Sequence, residues 1–213
     1  MFYLNVFSAC CQSQGNVNCR MAEDDPLTEH GRKQAERLGK DWKDVHIDVL
    51  YSSTLQRAHD TALQISTQNH TCPEVEKSPL FVERKKGQAV IEWALAGNLE
   101  RAGELYTGLS RYQSGASPRD YRPPRGVEST NDVAYRAMLS LSILLARHGT
   151  DLEEPPKDFV NKVNTYSPDI LPKGIPHVVV VSHNIFMSEL YESMLGWNTS
   201  HRMTTCEYSN ADW

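Results

Sequence analysis

One pattern occurs twice in this chain and limits what the chain can fold into. Residues 47–51 (IDVLY) form a mostly apolar run that leads into two serines and then into a helix-like stretch carrying Arg57. Residues 177–181 (HVVVV) form a second such run, which leads into Ser182-His183 and another helix-like stretch. Near-continuous β-branched runs are typical of strands buried on both faces, as in parallel sheets covered by helices. The sequence therefore predicts an α/β fold in which a strand, a tight turn and a helix recur.

The two polar side chains that follow these strands predict a ligand site. In open parallel sheets the ligand crevice lies at the carboxyl ends of the strands. Arg57 and His183 both come shortly after a predicted strand, so we expect them in one crevice. The crevice would lie beside helix N-termini, which favour anions. The sequence thus predicts a site for a phosphate group.

Five short blocks follow one another along nearly the whole chain, at residues 26–35 (PLTEHGRKQA), 51–62 (YSSTLQRAHDTA), 80–87 (LFVERKKG), 126–129 (GVES) and 181–183 (VSH). In residues and order they resemble the signature blocks of the histidine phosphatase superfamily, the phosphoglycerate-mutase-like proteins. The resemblance implies a three-layer α/β/α sandwich with a mostly parallel central sheet. It also implies a single domain over residues 1–213, with the family pattern incomplete at both ends.

The resemblance also implies roles for particular residues. Intact members of the family transfer a phosphoryl group to a first histidine, and cationic side chains stabilise the charge on the phosphoryl oxygens. On the matching blocks, Arg57 and Asn16 would bind the phosphate, and His183 would be the second histidine of the pocket. Glu83 would be the acid that protonates the departing oxygen, because an alkoxide leaves poorly at neutral pH. The implied activity is hydrolysis of a small phosphorylated metabolite, with no cofactor and no metal.

The first block of the family is broken in this chain. Residues 12–16 (QSQGN) fit the tail of the family's Arg-His-Gly block, so Ala9-Cys10-Cys11 stands where the nucleophilic histidine and its arginine belong. A Cys10 thiolate is a disfavoured substitute, since it would lie short of the phosphorus in a site shaped for imidazole. The chain as given is therefore expected to have at most trace phosphatase activity. Arg147-His148-Gly149 continues a predicted helix and is not expected to replace the missing block.

Three interpretations of this departure remain open at the level of sequence. The first is a phosphatase whose first residues come from a mis-joined exon or a wrong start. The second is a pseudophosphatase that binds phosphate esters without turnover. The third is a phosphoglycerate-type mutase. The short segment between Gln113 and Arg125 counts against the mutase, because mutases carry a longer stretch of basic residues there. Glu128 and Arg136 are expected to order the helix after residues 126–129 rather than to take part in chemistry.

Composition limits the partners and the compartment. The net charge of −5 and the pI near 5.9 argue against a nucleic-acid partner, whose binding surface would be basic. The five cysteines form no Cys-x-x-Cys pair and are odd in number, which fits free thiols in the cytoplasm. No apolar run approaches a membrane span, and the apolar start is too short for a signal peptide. We expect a cytoplasmic protein with a small phosphorylated substrate and no membrane partner, and the oligomeric state stays open.

Further local patterns predict individual elements and loops. Residues 4–7 are expected to form the first strand, and Thr28 is expected to cap a helix. Two more helices are predicted over residues 54–65 and 98–112. The Pro-, Gly- and Arg-rich segment 113–125 is either a lid over the site or a solvated loop. Residues 153–174, rich in proline, are expected to be a peripheral insertion.

Overall fold

The computed structural model describes residues 3–8, 24–71, 74–107, 119, 121–150 and 175–195. Four strands and six helices lie in these ranges. The strands are β1 (Tyr3–Ser8), β2 (Val49–Ser53), β3 (Val75–Ser78) and β4 (His177–Ser182). The helices are α1 (Glu29–Asp41), α2 (Gln56–Gln68), α3 (Gln88–Leu95), α4 (Leu99–Thr107), α5 (Thr130–His148) and α6 (Asn184–Leu195).

The sheet of the described residues is parallel throughout and has the strand order β1-β4-β2-β3. Strand β4 lies between β1 and β2, and all six of its residues are buried. This confirms the strand predicted from the valine run. The first strand predicted over residues 4–7 is confirmed as β1, which pairs with β4 from Tyr3 to Ser8.

Helices cover both faces of the sheet, which confirms the three-layer architecture. One core joins the sheet to α2, with α1 packed at its edge, and the other joins the opposite face to α5 and α6. Side chains of β4 alternate between the two cores, as the pleat of a strand requires. The first core contains Ala58, Ala62, Ile65, Val179 and Val181, and the second contains Val133, Ala137, Val178, Val180, Phe186 and Leu190.

Two helix starts follow the local capping chemistry. Thr28 caps α1, since its hydroxyl accepts a hydrogen bond from Gly31 N at 3.0 Å. Ser129 caps α5 through a reciprocal capping box with Asp132. None of the described helices is long and apolar enough to span a bilayer.

The boundary between β2 and α2 differs from the prediction. Ser52 and Ser53 are the last residues of β2 rather than a turn, and α2 begins at Gln56 rather than at residue 54. Both serine side chains are hydrogen bonded inside the fold, so the strand extends two residues beyond its apolar run.

Other predicted segments lie partly or wholly outside the described residues. Helix α4 lies within the helix predicted over residues 98–112, whose last five residues are outside the described ranges. Of the segment 113–125, only Arg119 and residues 121–125 are described. The insertion predicted over residues 153–174 also lies outside the described ranges.

Candidate active site

His183 and Ser53 meet at the carboxyl edge of the sheet. Ser53 ends β2, and His183 directly follows β4, which is the neighbour of β2 in the sheet. The His183 Nε2 and Ser53 Oγ atoms are 2.9 Å apart, and the two side chains are 1% and 0% exposed. The prediction that the ends of these two strands share one crevice is thereby supported by a direct contact.

The second ring nitrogen of His183 has no hydrogen-bond partner among the described residues. Nδ1 is buried, and it makes no hydrogen bond to any residue that the structure describes. Burial, together with the positive charges of Arg57 and Arg136, lowers the pKa of His183 to about 3. The imidazole is therefore neutral at neutral pH, with one unused polar atom in a cationic environment.

Glu83 lies against the start of the helix that follows His183. Its Oε2 accepts a hydrogen bond from Ile185 N in the first turn of α6 at 3.3 Å, and its Oε1 accepts one from Arg84 N at 2.8 Å. The N-terminus of a helix favours a carboxylate at this place. The carboxyl group of Glu83 thus contacts Ile185, which is two positions after His183 in the chain.

Arg136 and Glu128 hold the segment that carries Glu83. The Arg136 guanidinium donates to the carbonyl oxygens of Leu80 and Val82 at 2.9 and 2.7 Å. It also forms an ion pair with the Glu128 carboxylate at 2.7 Å. The same carboxylate accepts from Lys85 N at 2.9 Å. Glu128 and Arg136 were expected to order α5, and the observed contacts show that they also order the chain on both sides of Glu83.

Arg57 lies in the first turn of α2, and its positive charge acts on the buried carboxyl group of Asp25 as well as on His183. Asp25 is 8% exposed, and burial raises its pKa, while the positive charges of Lys86 and Arg57 lower it. Asp24, the neighbour of Asp25, accepts a hydrogen bond from Gln56 N at the start of α2. The segment before α1 therefore contributes carboxylates to the same edge of the sheet.

Three of the four site residues predicted from the sequence are described. Arg57, Glu83 and His183 all lie at the carboxyl edge formed by β2 and β4, whereas Asn16 and the Cys10 position lie outside the described residues. Arg147-His148 ends α5, as its sequence suggested. His148 Nε2 is 3.0 Å from the hydroxyl oxygen of Tyr51, which belongs to the middle of β2.

Sequence reasoning missed two residues of this edge, Ser53 and Asp25. Ser53 belongs to the block at residues 51–62, but it was predicted to lie in a turn between a strand and a helix. Strand alternation could have identified it, because Ser53 faces the same side of the sheet as Tyr51. Asp25 carries no comparable signal, since an acidic residue before a helix usually serves as a cap. Among the residues described, no group of three or more His, Cys, Asp or Glu side chains could hold a metal ion.

Comparisons with known proteins agree with this geometry. The family model described as "Histidine phosphatase superfamily (branch 1)" matches residues 11–153. Phosphoserine phosphatase 1 of Hydrogenobacter thermophilus is 32% identical over 178 residues, which are 83% of this chain and 68% of that protein. Fructose-2,6-bisphosphatase TIGAR B of Danio rerio is 31% identical over 171 residues, which are 77% of this chain and 62% of that protein.

Solved structures show the same fold. The structure of Bacillus stearothermophilus YhfR superposes with a TM-score of 0.61 at 23% identity, covering 94% of this chain and 82% of that one. This likeness shows that the fold is shared over most of the chain.

Proposed function

Since this chain belongs to branch 1 of the histidine phosphatase superfamily, we propose that its carboxyl-edge site binds the phosphate group of a small phosphorylated metabolite. The site is that of a phosphatase, a phosphoric monoester hydrolase, with the nucleophilic histidine replaced. In this proposal the chain as given binds phosphate esters with at most trace turnover. The 213 residues act as a single domain in the cytoplasm, without a nucleic-acid or membrane partner.

The observation that carries the proposal is the unused Nδ1 of His183 in a cationic environment. A buried polar atom without a partner costs about 1–3 kcal/mol, so it points to a ligand. The positive charges of Arg57 and Arg136 act on this ring, which favours an anion as that ligand. Phosphate meets these requirements, because its oxygens accept hydrogen bonds from cationic and neutral donors alike.

Each residue then has a distinct task. Arg57 neutralises charge on the phosphoryl oxygens, and His183 donates a hydrogen bond to one of them. Glu83 lies on the adjoining segment, where a carboxylic acid can protonate the oxygen of the leaving group in a member with an intact nucleophile. Asn16, by its match to the family, adds a further contact to the phosphate.

This chain lacks the residues that carry out the attack on the phosphorus atom. Ala9-Cys10-Cys11 offers neither the imidazole nucleophile nor the second arginine of the family's first block. Hydrolysis remains the second candidate function, for a natural protein that begins with an intact block. The short segment 113–125 supports hydrolysis over phosphoryl exchange between substrates, because mutases carry a longer stretch of basic residues there.

Calorimetric titration with inorganic phosphate tests the binding site. Arg57→Ala should weaken phosphate binding by about 1.5–3 kcal/mol, because a charge-assisted hydrogen bond is lost. Arg147→Ala is the matched control, since this arginine contacts Tyr51 away from the carboxyl edge. Equal phosphate affinity of the wild type, Arg57→Ala and Arg147→Ala would refute the assignment of the pocket.

Steady-state hydrolysis of p-nitrophenyl phosphate tests the lack of turnover. The wild-type chain should show no rate above that of Arg57→Ala. A turnover typical of enzymes, about 1–1000 per second, that Cys10→Ser abolishes would contradict the proposal and establish a cysteine nucleophile.

A further inference from the structure

Among the residues that the structure describes, two groups lie within hydrogen-bonding distance of the Ser53 hydroxyl. The hydroxyl oxygen accepts a hydrogen bond from Leu55 N at 3.1 Å and lies 2.9 Å from His183 Nε2. The side chain is completely buried, so water does not supply a further partner. A hydroxyl group has one proton to donate and two lone pairs that accept.

The neutral His183 ring has two tautomers. They differ in which hydrogen-bonding groups of His183 and Ser53 are left without a partner. If Nε2 carries the proton and donates it to Ser53, both lone pairs of Ser53 are occupied and its own proton has no described acceptor. Nδ1 is then a second unsatisfied atom. If Ser53 donates its proton to Nε2, the hydroxyl donates one hydrogen bond and accepts one, so its second lone pair stays unused and the Nδ1 proton lacks a described partner. Each arrangement leaves one donor without a partner, but the second lone pair of an oxygen that already accepts a hydrogen bond is less costly to leave unused than the only lone pair of a ring nitrogen, so the second arrangement is favoured.

We propose that Ser53 is a positioning residue that fixes His183 as the tautomer protonated at Nδ1, so that Nδ1 donates a hydrogen bond to an oxygen of the bound phosphate. Ser53 does not touch the ligand in this arrangement, and its effect passes through the ring of His183. The inference rests on the proposed function for the identity of the ligand. The tautomer itself is a property of the protein without ligand.

The adjacent serine provides a matched control. Ser52 is also fully buried, but its hydroxyl oxygen lies 3.3 Å from His59 Nδ1 on helix α2. The two serines therefore have the same size and burial and differ in the histidine that they contact. A loss of stability caused only by removing a buried hydroxyl would appear in Ser52→Ala and Ser53→Ala alike.

Nitrogen-detected NMR of the imidazole rings tests the tautomer without phosphate. In the wild type, the His183 signals, assigned by their absence in His183→Gln, should show the proton on Nδ1. Ser53→Ala should change the tautomer population, Ser53→Thr should restore it, and Ser52→Ala should leave it unchanged. A wild-type ring protonated at Nε2 would overturn the proposal, and that spectrum decides even if Ser53→Ala fails to fold.

Phosphate affinity supplies the second measurement. Ser53→Ala should weaken binding of inorganic phosphate roughly three- to tenfold, the loss expected for one misdirected hydrogen bond. Ser53→Thr should bind phosphate as the wild type does. An unchanged tautomer and an unchanged affinity in Ser53→Ala would overturn the role of Ser53. If the wild type shows the predicted tautomer but binds no phosphate, the positioning role stands, whereas the proposed function fails.

Discussion

His177 and His183 lie at opposite ends of β4, and both are 1% exposed, but their surroundings differ. The ring of His177 is held at the amino edge, where its Nδ1 lies 2.7 Å from the carbonyl oxygen of His46. Its backbone N–H donates to the Asp48 carboxylate at 2.7 Å, and its ring packs 5.8 Å from that of Trp42. His177 is therefore a structural residue.

Within the described part of the chain, the ring of His183 has a hydrogen-bond partner on one side only. Its Nε2 contacts Ser53, and its Nδ1 contacts none of the described residues. Burial lowers the pKa of both histidines, but the charges around them act in opposite directions. At His177, the hydrogen bond to His46 O and the charge of Asp48 raise the pKa again, whereas the nearby arginines lower the pKa of His183.

The comparison shows that burial does not by itself identify a functional histidine. The informative differences are the unused hydrogen-bonding atom and the sign of the surrounding charge. The amino edge offers a carboxylate and a carbonyl oxygen to its histidine, so it is already complete. At the carboxyl edge, the charges that act on the ring of His183 are those of arginines, and its Nδ1 has no partner among the described residues, so the surroundings of this ring are suited to an anion.

Of all the predicted changes, rebuilding the first block of the family pattern should have the largest effect. That effect concerns turnover at the carboxyl edge and not the amino edge. If the pocket is otherwise complete, the triple change Ala9→Arg, Cys10→His and Cys11→Gly should restore turnover of phosphate monoesters from trace levels to about 1–1000 per second.

In the repaired chain, Glu83→Gln should slow the hydrolysis of alkyl phosphates far more than that of aryl phosphates, because a phenolate leaves without much protonation. Rates measured on both substrate types check this.

A repaired chain that folds and binds phosphate but stays inert would show that the divergence extends beyond residues 9–11. The pseudophosphatase interpretation would then hold for the whole pocket.

Acid should destabilise the protein through His183. Its pKa is about 3 in the folded state and near 6.5 when unfolded, so its contribution is fully present above pH 6.5. As the pH falls from 6.5 towards 3, the unfolded state takes up the proton first, and the contribution is lost. Between pH 7 and pH 5 the free energy of unfolding should fall by up to about 2 kcal/mol from this group.

Urea denaturation of the wild type and of His183→Ala at pH 7 and pH 5 isolates the contribution of His183 to the free energy of unfolding. The variant should lose less stability between pH 7 and pH 5 than the wild type does. Equal losses in the two proteins would mean that the ring is not buried in its neutral form.

Substitution of the two histidines by alanine should affect stability unequally. His177→Ala removes the buried ring that contacts His46 O, whereas His183→Ala also removes an atom that has no partner among the described residues. The free energy of unfolding at pH 7 should therefore fall by about 1–2 kcal/mol more for His177→Ala. Urea denaturation of both variants measures the difference, and a reversed order would contradict the structural role of His177.

The sequence predicted those parts of the fold that depend on local pattern. The valine run predicted β4, residues 4–7 predicted β1, the cap at Thr28 predicted the start of α1, and a helix was expected after residues 126–129. Arg57, Glu83 and His183 were predicted as site residues because each stands in a block tied to a strand end or to the family pattern.

Other features depend on partners distant in sequence, which no local pattern reveals. Ser53 belongs to β2 because its backbone pairs with Ser78 of β3, and its hydroxyl contacts His183, which is 130 positions away along the chain. Arg136 orders the Glu83 segment through carbonyl oxygens more than 50 positions away. Asp25 becomes part of the site only when α1 and α2 pack side by side.

The central claim is that the carboxyl edge of β4 binds phosphate and the amino edge does not. An NMR titration of the imidazole signals with inorganic phosphate at neutral pH and constant ionic strength tests it directly, since His177 and His183 report on the two edges in one sample. The account predicts a saturable shift of the His183 ring signals with no comparable change at His177. Signals of His183 that do not respond to phosphate, or that move no more than those of His177, would contradict it.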